Sequence, residues 1–204
     1  MADASGRSLD ALMIIAEASG RAFLGIIGHV KGTRGDAALK RAIAATEPAT
    51  QRAFEQPFLA RRWYSYAAYA DFLRSLDRTL GKNDGAFARE LGASAGRRDL
   101  GSIFKLYVMM ASAERLIRSC ERIWPVYYRN AGKMTAIAWE PSRTVLRISD
   151  FKHMEPMHCR LMEGWMIATM TQIGFAVSED GREHTCMSTG GAYHEFVCSW
   201  RETG

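Results

Sequence analysis

One change of hydrophobic period divides this chain, and it limits the available folds more than any other feature. Up to about residue 125 apolar residues recur at spacings of three and four, as on one face of a helix. From Lys133 the spacing shortens to two, the period of a strand. Leu12, Ile15, Phe23, Ile26, Ile27 and Val30 carry the first helical face, with Gly28 and Gly32 as stop signals. Asp36 is placed to cap a second helix running to Glu47-Pro48. Ser65 caps a third through Tyr69, Phe72, Leu73, Leu76 and Leu80, closed by Gly81. Asp84 opens a fourth through Phe87 and Leu91, and helical pattern continues over 100–107 and 112–123.

Lys133–Glu140 and Arg143–Ser149 alternate across Pro141-Ser142 and predict a hairpin. Residues 159–173 return to helical period, with Gly174 as C-cap. Two further strands, 183–188 and 193–200, flank Thr189-Gly190-Gly191-Ala192. The expectation is an α+β fold: an N-terminal helical lobe (8–125), then a ββαββ module (133–200) with a mainly antiparallel sheet, in a single domain over 1–204. With 48% apolar and 24% charged residues, a chain of 204 is large enough to bury such a core.

Charge and motif content narrow the function. The net charge of +5 is dispersed, and the Arg115, Arg118, Arg122 stripe is interrupted by Glu114 and Glu121, so nucleic acid is not expected. Glu17 and Arg21 break the most apolar N-terminal stretch, so no membrane span is expected. Nor is a signal peptide: Asp3 and Asp10 stand where one needs a basic region, ahead of only a short apolar run at Leu12-Met13-Ile14-Ile15. Four unevenly spaced cysteines point to a reducing, cytoplasmic setting. Phosphate-loop, zinc-protease, serine-hydrolase and dinucleotide motifs are absent, which points away from an enzyme.

Two candidate sites remain. Trp63, Tyr64, Phe104, Tyr107, Trp124, Tyr128, Trp139 and Trp165, with several methionines, are candidates to line an apolar pocket. In the last strand His194 shares a face with Phe196, Cys198 and Trp200. A turn about Gly190 sets Cys186 opposite His194, close enough to share one ion, with Cys159 as a third ligand. The fourth is Glu183, His184, His158 or water; thiolate with imidazole favours zinc.

The stretch from Cys159 through Gly164 and Gly174, then Glu183-His-Thr-Cys186, Gly190 and Tyr193-His-Glu-Phe196-Val-Cys-Ser-Trp200, resembles the ending of the 4-vinyl reductase and haem-NO-binding-like superfamily. Glu90-Leu-Gly92, Ala113-Glu-Arg-Leu-Ile117 and Ile123-Trp-Pro-Val-Tyr-Tyr128 resemble its bacterial members too. The resemblance implies a cytoplasmic, usually homodimeric sensor-type domain with a pocket for a small hydrophobic or aromatic ligand. Its zinc, held in relatives by three cysteines and a glutamate, carries over to Cys159, Glu183 and Cys186, with His194 in place of the third cysteine. A Tyr-x-Ser-x-Arg signature is missing, which counts against haem. The function expected is a stand-alone ligand-binding or regulatory domain signalling to a separate protein partner. The alternatives are an assembly subunit of a bacterial complex and a tetrapyrrole-pathway accessory protein.

Overall fold

The computed structural model describes residues 15–102, 113–178 and 181–201. Helix α1 (Gly20–Ala44) runs through Gly28 and Gly32 without stopping. Its break falls at Gly35, whose φ of 81° lies where only glycine sits without strain. Ahead of it, residues expected to be helical form β1 (Glu17–Ser19), which pairs with β2 (Trp63–Ser65) and β3 (Tyr128–Arg129) in a small antiparallel sheet. Pro48 starts a short helix instead of only ending one, because proline at the first turn gives up an N–H that has no partner there: α2 (Pro48–Ala53). Helix α3 (Tyr66–Leu80) begins where Ser65 Oγ accepts the N–H of Ala68, and Gly81 follows it.

Helix α4 (Ala86–Ser102) starts beside Asp84, whose Oδ1 accepts the Ala86 N–H at 2.9 Å. After it come α5 (Ala113–Arg118) and α6 (Cys120–Tyr127). The hairpin forms as β4 (Lys133–Glu140) and β5 (Arg143–Ser149), with a bulge between Ala136 and Ala138. Helix α7 (Pro156–Gln172) crosses to β6 (Ala176–Val177), β7 (Arg182–Thr185) and β8 (His194–Arg201). The larger sheet has the order β4-β5-β8-β6, with β7 on β8, all antiparallel. The fold is α+β, a helical lobe on an antiparallel module.

Two glycines decide how the layers meet. A Cβ on Gly92 of α4 would stand 1.8 Å from the Leu161 carbonyl oxygen, and one on Gly164 of α7 would stand 2.0 Å from that of Arg89. Only bare backbone lets α4 and α7 approach this closely. A continuous core then joins both lobes, from Phe23 and Phe72 in the helices to Ile148 and Phe196 in the sheet. No helix among the described residues is long and apolar enough to cross a membrane.

Candidate functional site

Cys159, Glu183, Cys186 and His194 converge under α7, with one ligand atom from each lying within 4.8 Å of all the others. The strand register explains how. Thr185 pairs with Glu195, which puts Cys186 level with His194 on one face. Glu183, three residues earlier, would face away in a regular strand. The register shifts between Glu183 and Thr185, so Glu183 pairs with Phe196 and turns to the His194 face as well. His184 at the bulge is exposed. Cys159 comes from the first turn of α7 above the sheet.

The hydrogen bonds define the chemistry. His194 is fully buried, and its Nε2–H donates to the Phe151 carbonyl at 3.2 Å. In the neutral ring Nδ1 then offers a lone pair, 2.8 Å from Glu183 Oε1 and 3.5 Å from Cys159 Sγ. Lone pairs this close need a proton or a cation between them. Burial first, then the charge of Glu183, pushes the Cys159 thiol far above its ordinary pKa, so the metal-free thiol keeps its proton. Two thiols, one imidazole and one carboxylate are a zinc-type donor set, and tetrahedral bonds of about 2.0–2.3 Å put donors about 3.3–3.8 Å apart. A ring nitrogen tied to a backbone carbonyl is the outer support such ligands commonly have.

His158, also fully buried, points away from this cluster. The Glu155 N–H donates to Tyr66 Oη, whose hydroxyl donates to His158 Nδ1, each at 3.0 Å. Burial, then nearby His194, pushes its pKa down to about 3. The neutral ring lies parallel to Trp124 at 5.8 Å, and its Nε2 has no hydrogen-bond partner.

An apolar pocket lies between the helices and β4. Its walls are Ala22, Gly25 and Ile26 of α1, Tyr69 of α3, Leu91 and Ala95 of α4, Ile123, Trp124 and Tyr127 of α6, and Leu161, Met162 and Trp165 of α7. Tyr128 and Met134 close one side, and Arg98 is the charged residue of the lining. The free space is about 50 Å³, room for a molecule of a few heavy atoms. Of the sequence candidates, Trp124, Tyr128 and Trp165 stand in this wall. Phe104 and Tyr107 lie outside the described residues. Three candidates stand elsewhere and are corrected here. Trp63 lies under the Arg129 guanidinium on the small sheet. Tyr64 packs on Phe58 and accepts the Leu59 N–H. Trp139 packs with Phe175 and Trp200 at the far edge of the large sheet. Aromatic identity alone does not say which side of an element faces the pocket. The α1 wall went unread because Ala22, Gly25 and Ile26 look like ordinary core.

No protein-family model matches the sequence, nor does any curated protein sequence. Among solved structures the fold is that of H-NOX domains. An unliganded Fe(II) H-NOX variant from K. algicida is 13% identical, with a TM-score of 0.68 over 91% of this chain and 97% of its own. An H-NOX domain from Shewanella oneidensis in the Fe(II)CO state is 10% identical, with a TM-score of 0.68 over 90% and 99%. A third, solved to probe haem distortion in the H-NOX family, is 9% identical, with a TM-score of 0.66 over 90% and 95%. At 9–13% identity these likenesses show the fold alone, and that fold is the H-NOX one; they do not show the 4-vinyl reductase side of the resemblance. They also correct the expectation against haem. The neighbours are haem proteins, so a missing short signature does not exclude the group. Among the described lining residues the side chains that could reach a haem iron are the Met134 and Met162 thioethers and the phenols of Tyr69, Tyr127 and Tyr128. No histidine or cysteine is among them, and burial keeps the Tyr128 phenol, which donates to Tyr69 Oη, protonated.

Proposed function

We propose that this is a ligand-binding regulatory domain of the sensor type, taking a small hydrophobic or aromatic molecule in the pocket between α1, α4, α6 and α7. A structural zinc held by Cys159, Glu183, Cys186 and His194 pins β7 and β8 to α7. The observation that carries the proposal is the pocket itself, apolar and aromatic on nearly every side, in a fold its neighbours use for a bound cofactor. Met134 and Met162 are flexible enough to move aside for a ligand larger than the resting space. Haem, the neighbours' cofactor, would supply a redox-active iron, but it is far larger than the space two methionine side chains vacate, so holding it would require the helices themselves to part. Both lobes act as one domain, and the signal passes to a separate protein or across a homodimer.

Native mass spectrometry, visible absorption and elemental analysis of freshly purified protein test this together. The expected result is one zinc per chain and either a small-molecule adduct or a haem absorption band. A bare chain that also takes up neither added toluene nor added haem would overturn the pocket assignment. The second reading, an assembly subunit, draws on exposed Ile15 (67%) and Leu59 (59%) and predicts that bare chain.

A further inference from the structure

We propose that Glu163 is a positioning residue for the metal centre, fixing the backbone of the ligand Glu183 without touching the ion. The inference rests on the zinc assignment above and extends it beyond the four ligands. Glu163 is on α7 one turn after Cys159, and its side chain is fully buried. Its Oε1 accepts the backbone N–H of Glu183 at 2.9 Å and an N–H of Arg160. Its Oε2 accepts Arg89 Nε at 2.6 Å. One carboxylate therefore joins α4, α7 and β7 at the residue beside the bulge that turns Glu183 inward.

A carboxylate removed from water is costly unless several donors meet it, and a merely structural contact here could be apolar. What an apolar side chain cannot do is hold the Glu183 N–H. That N–H sits at the register shift, where the ladder is locally disrupted and the strand alone does not fix its direction. The charges also match. Two thiolates and a carboxylate around a divalent ion leave a net −1, whereas Glu163 with two guanidinium groups carries a net +1. The close α4–α7 seam at Gly92 and Gly164 is what brings Arg89 to Glu163.

The test is zinc affinity of the full chain, stripped of metal and titrated against a chromophoric chelator, with the Co(II) absorption spectrum as second readout. Glu163→Ala is expected to weaken zinc about 10–100-fold and shift the Co(II) bands. Glu163→Gln, which keeps an acceptor for the Glu183 N–H, should sit nearer wild type, about tenfold weaker. Asp77→Asn is the control. Asp77 is equally buried and caps α4 through the N–H groups of Gly85, Phe87 and Ala88, so its loss should lower stability and leave both metal readouts unchanged. Should Glu163→Ala not fold, Arg89→Met and Glu163→Gln decide. Wild-type affinity and spectrum in the Glu163 variants would overturn the positioning role alone. A wild-type chain that binds no zinc would overturn the metal assignment and this proposal together.

Discussion

His194 is held at both ring nitrogens, by a backbone carbonyl on one side and by a carboxylate and a sulfur on the other. That makes it the most constrained residue of the cluster. His194→Ala removes a ligand and opens a cavity in the core, and Cys186→Ala removes a ligand from a half-buried position. Each is expected to abolish stoichiometric zinc by elemental analysis. Cys186→Ala should leave the metal-free fold within about 1 kcal/mol of wild type, whereas His194→Ala should cost more, because it also strands the Phe151 carbonyl. Full zinc retention in both would refute the ligand assignment. At this scale the sequence was half readable. The period-2 alternation and the Gly190 turn are local, so they place Cys186 against His194. Glu183 reaches the site only through a bulge, and no residue between Glu183 and Thr185 announces one.

The helices differ in what their glycines do. Gly92 and Gly164 sit where a Cβ would meet backbone, so Gly92→Ala or Gly164→Ala must push α4 and α7 apart. A loss of about 2 kcal/mol or more is expected in chemical denaturation, the scale of overpacking in a tight core. Gly28 is exposed in α1 with nothing within 4 Å of its missing Cβ. Gly28→Ala should therefore stabilise by about 0.5–1 kcal/mol through helix propensity. If all three changes had similar effects, the α4–α7 seam would not be the close contact described. Element types were legible where the pattern is strong: Lys133–Glu140 and Arg143–Ser149 form strands at the bounds their alternation predicts. Gly28 and Gly32 misled as stop signals because a helix tolerates glycine when its other face is anchored, here by Phe23, Ile26 and Val30. The three-residue strands are too short to show any period.

For the whole molecule, buried thiols set a limit on alkaline stability. Burial pushes Cys120 and Cys198 from an ordinary 9.0 to about 12. The unfolded chain loses these protons above pH 9 and the folded one keeps them to about 12, so their contribution is intact below 9 and falls as pH rises. Each thiol should cost about 1.4 kcal/mol per pH unit across that window. Denaturant midpoints measured upward from pH 8 should show the decline, and Cys120→Ala should make it shallower by that thiol's share, leaving the part due to Cys198. A flat profile to pH 11 would mean that neither thiol is desolvated as described.

The same core encloses the pocket, and the central claim is that the pocket opens to an apolar ligand. The most direct measurement is a titration with toluene followed through ¹³C-labelled methionine methyl resonances. The pocket methyls of Met134 and Met162 should shift and saturate, while Met154 and Met170, both in the core and outside the pocket lining, stay in place. No shift at Met134 and Met162, or equal shifts at all four, would contradict the assignment of this space as a ligand site.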